Sequence, residues 1–295
     1  MKQVLYILLF FWLLQGCEDV IDVNLPEEEP KLVVDALIRL DLTQSSSPFR
    51  VKVSTTGSFF DEITPTTLER MQLVNEDNTT VSGIIFLIPD PEHPNEYVPL
   101  GPDGEPEPDD LVPNDFFLEG RLILTFVHDN ELYLAETRFA PAPSIETIKV
   151  GDGTLFDDNA TELIVSFTDI PEVDNYYVFD FDFGEFLTLE DRFFQDQAFE
   201  FSYFYEKELS AGDFVVVSIL GATEDFYNYI DLLIEQSDLT DGGPFQVPVT
   251  TVRGNILKVE GVDNIDIFDN VGRPQEFVLG YFAVAQEYSE TITIE

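Results

Sequence analysis

Large apolar side chains recur at every second position through most of this chain, and this period constrains the fold more than any other feature. The pattern is clearest in residues 49–54, 122–126 and 163–167. Successive residues of a strand point to opposite faces, so the period indicates strands with one buried face. Asp129-Asn130 is a turn signal that joins 122–126 to a following strand as a hairpin. The sequence therefore predicts an all-β fold.

A few segments depart from this alternation. Residues 31–40, 81–88 and 214–220 are more continuously apolar, which is typical of strands buried on both faces. Residues 223–237 follow helical spacing instead. Thr223 can cap this helix, acidic residues occupy its first turn, and apolar residues recur along one stripe. We expect the helix to cover one face or end of the second domain.

Composition divides the chain into four parts. Residues 1–16 are an apolar run behind one lysine; the run is too short to span a bilayer and predicts a secretory signal peptide. Residues 17–30 are acidic and end in Pro-Glu-Glu-Glu-Pro, as in a flexible tether. The prolines of 140–144 then separate an N-terminal β-sandwich domain, 31–139, from a C-terminal one, 140–295. The strand pattern of the second domain is typical of an immunoglobulin-like or fibronectin-like sandwich.

An acidic, proline-rich stretch interrupts the first domain at 89–115. It contains eight prolines and nine acidic residues. Since proline cannot donate a hydrogen bond to a strand ladder, we expect a long exposed loop here. Its role stays open between a mobile insertion and a docking or cation-binding loop.

The only cysteine, Cys17, directly follows the apolar run. The sequence Leu14-Gln15-Gly16-Cys17 resembles the bacterial lipoprotein signal, in which the cysteine is acylated and starts the mature chain. An ordinary signal peptide with a chance cysteine is the other interpretation, although no second thiol exists for an intramolecular disulfide. We expect a covalent lipid on Cys17 to be the membrane anchor.

Two acidic residues follow this position, Glu18 and Asp19. They resemble the signal that exports lipoproteins of the Bacteroidota to the outer face of the outer membrane. The alternative is that they belong to a generally acidic chain. The sequence predicts a lipid-anchored outer-membrane protein that faces the cell surface.

Net charge restricts the possible partners. The chain has 14 basic and 58 acidic residues, for a formal charge of −44. Such a chain repels phosphate backbones, so nucleic-acid binding is not expected. With 44% hydrophobic residues, including 27 phenylalanines, it is not a disordered acidic polymer either. The acids must coat a folded surface, either for solubility or opposite a partner that is basic or bridged by divalent cations.

Motifs for catalysis are sparse. The sequence contains no glycine-rich phosphate loop, no GxSxG, no HExxH and no CxxC. Of the two histidines, His93 lies in the proline-rich stretch and His128 beside the predicted hairpin turn. Both are interpreted as exposed polar residues, with a Ser-His-Asp site around His128 as the lesser alternative. We predict no enzymatic activity, no metal site and no cofactor apart from the lipid.

Calcium is the one cation for which the chain offers many oxygen ligands. Three clusters supply such oxygens, and none has the spacing of an EF-hand. Each is more typical of a solvated acidic surface. The clusters are Asp180, Asp182 and Glu185; Asp152, Asp157, Asp158 and Asn159; and Asp263, Asn264, Asp266, Asp269 and Asn270.

Several segments resemble one family through their order and spacing. They are Cys-Glu-Asp-Val-Ile-Asp-Val-Asn-Leu at 17–25, Lys-Leu-Val-Val-Asp-Ala-Leu-Ile at 31–38, the helix with Tyr227 and Tyr229 followed by Gly-Gly-Pro-Phe at 242–245, Val-Arg-Gly-Asn-Ile at 252–256 and Val-Leu-Gly-Tyr-Phe-Ala-Val at 278–284. Together they resemble the Bacteroidota outer-membrane lipoprotein family known as domain of unknown function 4249. The resemblance implies an outer-membrane lipoprotein, commonly encoded beside a TonB-dependent receptor, without established catalytic residues. The longer proline-rich stretch and the more negative charge depart from the family.

We therefore expect a non-enzymatic accessory subunit of an outer-membrane β-barrel complex. A TonB-dependent transporter is the first partner to expect, and a barrel-assembly or secretion machine is the second. The alternative is a free-standing surface adhesin or glycan-binding module with aromatic platforms. Sugar platforms often use tryptophan, however, and the single one, Trp12, would be lost with the signal peptide.

Overall fold

The computed structural model of the protein describes residues 30–57, 64–77, 83–153, 160–205, 209–239, 252–261 and 277–294. The predicted signal peptide and nearly all of the tether lie outside these residues. Residues from Lys31 to Glu295 belong to one compact unit. No helix in the described ranges has the length and apolarity that a membrane crossing would need.

Nineteen strands and one α-helix make up the described part of the chain, so the predicted all-β fold with a single helix is confirmed. The strands are β1 Leu32–Leu40, β2 Ser46–Pro48, β3 Val51–Thr55, β4 Thr64–Pro65, β5 Arg70–Asn75, β6 Ile84–Pro89, β7 Glu96–Pro99, β8 Leu111–Pro113, β9 Leu122–His128, β10 Glu131–Thr137, β11 Phe139–Ala140, β12 Ile145–Val150, β13 Glu162–Thr168, β14 Tyr176–Asp180, β15 Phe186–Glu190, β16 Ala198–Phe204, β17 Phe214–Ala222, β18 Ile256–Lys258 and β19 Leu279–Thr293. The helix, α1, spans Glu224–Leu239.

Most strands belong to one large sheet with the order β15-β14-β17-β19-β1-β3-β7-β6-β5-β9-β10-β18. The last strand, β19, is its centre. One edge of β19 pairs in parallel with β1, and its other edge pairs with β11 and then with β17. Only Arg138 separates β10 from β11, which pairs with β19. The successive neighbours β1, β3, β7, β6, β5, β9 and β10 therefore close into a ring through β19. Closure satisfies backbone groups that a sheet edge would leave open.

Buried side chains form two large cores and one smaller cluster. The first core fills the ring and includes Phe126 and Phe282. The second, which includes Phe167 and Phe179, lies between the β14–β17–β19 end of the large sheet and a separate sheet of order β12-β13-β16. This half is therefore sandwich-like, as predicted. Since β19 contributes to every cluster, both halves belong to one compact unit, and the domain boundary at 139/140 stays a prediction.

Several local sequence signals have the predicted structural effect. Phe49, Val51 and Val53 are all buried in the first core. Asp129 and Asn130 adopt φ of 52° and 62°, as a tight hairpin turn of the primed type requires, and they join β9 to β10. The alternating segments 49–54, 122–126 and 163–167 thus correspond to the strands β3, β9 and β13.

The helix is capped and placed as expected. The Thr223 hydroxyl accepts a hydrogen bond from the Phe226 backbone N–H at 3.2 Å. The helix contacts β14, β15 and β17, and Phe226 is buried in the third cluster. The Thr188 hydroxyl on β15 donates to Asp231 at 2.6 Å. The helix therefore covers one face of the large sheet beside the second core.

The interpretation of 89–115 as a long exposed loop is wrong. Within it, β7 pairs with both β3 and β6, and β8 pairs with β2. Tyr97 is buried in the first core, and its hydroxyl donates to the Leu68 carbonyl at 3.0 Å. Pro89, Pro99 and Pro113 each stand at the end of a strand. Prolines at strand ends interrupt the ladder little, which composition alone did not reveal.

One further expectation needs correction. Residues 81–88 were expected to be buried on both faces, but in the described part of this segment, β6, Phe86 is 53% exposed. At the other end of the chain, Leu279–Thr293 forms one long continuous strand, β19.

Candidate functional surface

The residues predicted to carry the lipid and the export signal, Cys17, Glu18 and Asp19, lie outside the described residues. The same holds for the acidic cluster at 263–270. Of the cluster at 152–159, the structure describes Asp152 but not Asp157, Asp158 or Asn159. These predictions stay open.

The remaining acidic cluster, Asp180, Asp182 and Glu185, accepts hydrogen bonds from donors of the protein itself. Asp180 accepts from Arg39 at 2.6 Å and from the backbone N–H of Asp182 at 3.1 Å. Asp182 accepts from the backbone N–H of Phe183 at 2.8 Å, and Glu185 accepts from the Tyr203 hydroxyl at 2.7 Å. The carboxylates stabilise the β14–β15 turn and the contact of this turn with neighbouring strands.

His128 does not have the geometry of a hydrolytic triad. Its Nε2 lies 3.3 Å from the hydroxyl of Thr66, and its Nδ1 lies 3.5 Å from a carboxylate oxygen of Asp129. The second distance exceeds the 2.6–3.2 Å or so of a productive catalytic hydrogen bond. Asp129 is itself 87% exposed, so solvent screens its charge. These contacts indicate a structural role for His128 at the hairpin end of β9.

An ion-pair cluster surrounds Arg50, just before β3. Its Nη1 donates to Asp90 at 2.7 Å and to Glu96 at 2.5 Å, and its Nε donates to Asp110 at 2.9 Å. All three carboxylates belong to the segment 89–115. Arg50 therefore links this proline-rich segment to the ring of strands through ion pairs.

Within this cluster, hydrogen bonds strongly lower the pKa of one carboxyl group. The backbone N–H of Glu92, followed by the Arg50 guanidinium, lowers the pKa of Asp90 to about 2. Both donors favour the charged carboxylate.

The same cluster contains a possible set of metal ligands. Asp90, His93 and Glu96 offer three ligand atoms within 4.8 Å of one another. However, Arg50 donates to two of these carboxylates, so a divalent cation would have to displace a guanidinium held by three acids. The arrangement supports an ion-pair role better than a metal centre.

Three segments that carry the family resemblance meet in the structure. A Cβ atom at Gly254 would lie 1.6 Å from the Gly280 carbonyl oxygen, and one at Gly280 would lie 1.9 Å from the Val34 carbonyl oxygen. These backbones therefore approach as closely as only glycine permits. Asn255, next to Gly254, hydrogen-bonds to the backbone of Phe282. The segments 31–38, 252–256 and 278–284 thus have a shared structural role at the closure of the ring.

Most described aromatic side chains are core residues. Phe181 stacks on Tyr203 with ring centroids 3.7 Å apart, and Phe194 stacks on Phe199 at 4.1 Å. All four pack in the second core. Sequence reasoning could not separate core aromatics from displayed ones, and the contacts place these in the core.

An apolar surface lies on the side of the ring that faces away from the first core. We call it the outer face. Val74 is paired with both Ile84 and Ile123, and Val127 is paired with Leu132, so these side chains are neighbours across four strands. The outer face consists of Val74 on β5, Ile84 and Phe86 on β6, Ile123 and Val127 on β9, and Leu132 and Leu134 on β10, with Gln72 and Thr125 among them. Strands about 4.8 Å apart make it roughly 15–20 Å wide.

Charged side chains at the ends of the outer face are nearly balanced. Arg121 pairs with Glu76 and, at 3.3 Å, with Glu136. Arg70, opposite Val127, lies on the same side of the sheet. Glu131 and Lys258, which pair at 3.2 Å, alternate instead with the buried Ala135 and Ile256 on the core-facing side of β10 and β18.

Sequence reasoning missed this surface, although a signal for it exists. β6, β9 and β10 carry apolar residues on both faces, which was interpreted in β6 as burial on both sides. Within the described residues, one of those faces is instead exposed, as Phe86 and Leu132 show.

A scan against protein-family models finds no match for the chain, and a search of curated proteins finds no significant match. The resemblance to the domain of unknown function 4249 family therefore stays a prediction.

Proposed function

We propose that this protein is a lipid-anchored, non-enzymatic accessory subunit of an outer-membrane β-barrel complex, displayed at the cell surface. A TonB-dependent transporter is the first candidate partner, and a barrel-assembly or secretion machine is the second. The observation that carries the proposal is the Leu14-Gln15-Gly16-Cys17 junction behind an apolar run, followed by Glu18 and Asp19.

The outer face adds support for a subunit that binds another protein. Monomeric soluble proteins rarely expose broad apolar patches, and such patches commonly mark interaction sites. Phe86 and Leu132 are 53% and 46% exposed on a chain whose surface is otherwise strongly acidic.

The adhesin or glycan-binding alternative has less support. That function would use aromatic side chains as exposed platforms, whereas the aromatic cluster of the second half packs inward. Tyr177, Phe179 and Phe181 are all buried there. A free-standing adhesin is therefore the alternative that the experiment must distinguish from the accessory subunit.

The test is purification of the full-length lipidated protein from membranes solubilised in mild detergent, followed by mass spectrometry. We expect an outer-membrane barrel protein to co-purify and to migrate with it as a larger complex at low salt. A Cys17→Ala variant is the matched control, because it removes the anchor and leaves the folded part unchanged.

Surface display is tested separately with protease added to intact cells. The unmodified protein should be cleaved, whereas Glu18→Ala combined with Asp19→Ala should protect it. A protein that runs alone at low salt would favour the adhesin function, and one protected in intact cells would overturn surface display.

A further inference from the structure

The free edge of β16 carries backbone groups that have no partner among the described residues. β16 is the last strand of the sheet β12-β13-β16 and pairs with β13 alone in that sheet. Two backbone hydrogen bonds flank this pairing, from the Tyr205 N–H to the Thr161 carbonyl at 3.0 Å and from the Asp169 N–H to the Gln197 carbonyl at 3.1 Å. Hydrogen-bonded pairs alternate in an antiparallel ladder, so these two bonds fix which residues of β16 bond to β13. The backbone groups directed away from β13 are those of Ala198, Glu200, Ser202 and Phe204.

This edge has few of the features that keep strand edges from pairing with another chain. Such features include lysine, proline and β-bulges. The opposite edge of the same sheet, β12, has a register irregularity between Ile145 and Thr147 and an exposed lysine, Lys149. β16 instead pairs with β13 in unbroken register over all seven of its residues, and its only charged residue is Glu200. The edge of β16 is therefore the one that a further strand fits best.

The outward residues of β16 are complementary to those of a second copy. A two-fold axis at Phe201 would place Glu200 of one molecule opposite Ser202 of the other. It would likewise place Ala198 opposite Phe204. The two Glu200 carboxylates are then not directly opposed, and directly opposed like charges would be destabilising. Any other two-fold register would pair fewer of the seven residues.

The core-facing residues of β16 fit the same register. Phe199, Phe201 and Tyr203 pack against the second core and are only partly buried there. The two-fold axis would place Phe201 opposite its own counterpart and Phe199 opposite Tyr203. Aromatic cross-strand pairs stabilise antiparallel sheets, and here they would cover ring surface that a single molecule leaves exposed.

We propose that β16 pairs antiparallel with β16 of a second copy about a two-fold axis at Phe201, which joins two three-stranded sheets into one of six strands. Each of the four outward pairs exchanges two backbone hydrogen bonds, eight in all. A typical protein interface has about ten direct hydrogen bonds. A two-fold axis uses the same surface on both molecules, so the assembly closes as a dimer. The proposal is independent of the accessory-subunit function, because it requires neither the lipid nor a barrel.

The size and charge of the molecule predict a weak dimer. One pair of strands buries less than the roughly 1,600 Å² of a standard interface, so backbone hydrogen bonds rather than apolar area hold the dimer together. Each molecule carries a formal charge of −44, and repulsion between exposed charges is largely screened beyond about 8 Å at physiological ionic strength. Association should therefore be measured at that ionic strength over a range of protein concentrations.

The first experiment is sedimentation equilibrium of the full-length protein in mild detergent, with Ser202→Pro and its matched control Ser202→Ala. Proline at 202 removes an N–H that points to the free edge and leaves the hydrogen bonds to β13 in place. We expect the unmodified protein and Ser202→Ala to form dimers at concentrations where Ser202→Pro stays monomeric. Melting temperatures of the three proteins show whether Ser202→Pro is folded.

A charge test does not depend on proline. Ser202 is exposed, so both substitutions should be compatible with folding. Ser202→Lys places a cation opposite Glu200 of the other molecule twice in each dimer, and Ser202→Glu places a carboxylate there. The dissociation constant should fall roughly 2–30-fold for Ser202→Lys and rise by a similar factor for Ser202→Glu. Asn228→Lys and Asn228→Glu, at an exposed position of α1, change the net charge equally and should leave the constant nearly unchanged.

Photo-crosslinking in intact cells identifies the occupant of the edge directly. A photo-crosslinking amino acid at position 202 should yield a crosslinked dimer of this chain, and the same group at 228 should not. A crosslink from 202 to a different protein alone would overturn the proposal in favour of strand addition by a partner. A monomer at every concentration would overturn it as well, as would a dimer that a folded Ser202→Pro and both charge variants leave unchanged.

Discussion

The side-chain amide of Asn255 bonds to both backbone groups of Phe282, accepting from its N–H at 2.9 Å and donating to its carbonyl at 2.8 Å. It also donates to the Glu136 carbonyl on β10 at 2.9 Å. The Asn255 side chain thus bridges the backbones of β10 and β19 with hydrogen bonds, at the point where the ring closes.

Asn255→Ala should destabilise the protein by about 2–4 kcal/mol, because three hydrogen bonds of roughly 1 kcal/mol each are lost and backbone groups are left without partners. Thermal unfolding followed by circular dichroism measures the effect. Asn228→Ala, at an exposed position of α1, is the control and should change stability by less than about 0.5 kcal/mol. Equal melting temperatures for the two variants would show that Asn255 does not hold the closure.

Gly280→Ala should be far more damaging than the same change at Gly104. Both glycines have a left-handed φ, 91° and 87°, so both alanines pay a similar backbone strain of about 1–2 kcal/mol. Only at Gly280 would the new Cβ collide with backbone, 1.9 Å from the Val34 carbonyl oxygen. We expect Gly280→Ala to lower soluble yield and melting temperature well below those of Gly104→Ala. Similar values for both would contradict the close approach of β19 to β1.

Asp90 makes stability depend on acid pH. Its pKa falls from 3.8 to about 2 in the folded protein, because the Glu92 N–H and Arg50 favour the carboxylate. The resulting stabilisation is complete above the unfolded pKa and is lost as pH falls from about 4 towards 2. The difference in melting temperature between the unmodified protein and Asp90→Asn should therefore be constant at neutral pH and shrink below pH 4. Glu235→Gln, exposed on α1, is the control; a difference independent of pH would refute the linkage.

Arg50→Gln should loosen the segment 89–115 without unfolding the chain. The guanidinium joins three carboxylates of that segment, and removing it leaves them mutually repulsive. Hydrogen exchange in Glu96–Pro99 and in 101–110 should become faster, while exchange in β13 stays unchanged. Arg192→Gln is the matched control, because that arginine is 67% exposed and pairs with the nearby Glu190. Unchanged exchange in Arg50→Gln would mean that β-pairing alone orders the segment.

Cys17→Ala should abolish incorporation of labelled fatty acid and block normal maturation. The expectation rests on the Leu-Gln-Gly-Cys junction, since no other thiol in the chain can carry the lipid. Metabolic labelling followed by gel analysis measures it, with Ser45→Ala as a control that should label normally. Undiminished labelling of Cys17→Ala would refute lipidation at this residue.

Local order in this protein is readable from the sequence. The buried alternation of Phe49, Val51 and Val53, the tight turn at Asp129-Asn130 and the cap at Thr223 each follow from contacts within a few residues. Strand geometry, left-handed turn conformations and helix capping act over that same short range, so the pattern was sufficient to predict them.

Pairing between distant strands was decided by tertiary structure alone. Ile38 lies beside Val284 because β1 and β19 pair in parallel, and no local pattern specifies a partner so far along the chain. The same limit explains Tyr97, buried within a segment whose composition indicates a loop, and Phe86, exposed on a strand whose composition indicates burial. A period of two states that alternate residues share a face. Which face meets the core depends on what the rest of the chain places against it, and that is a property of the folded whole.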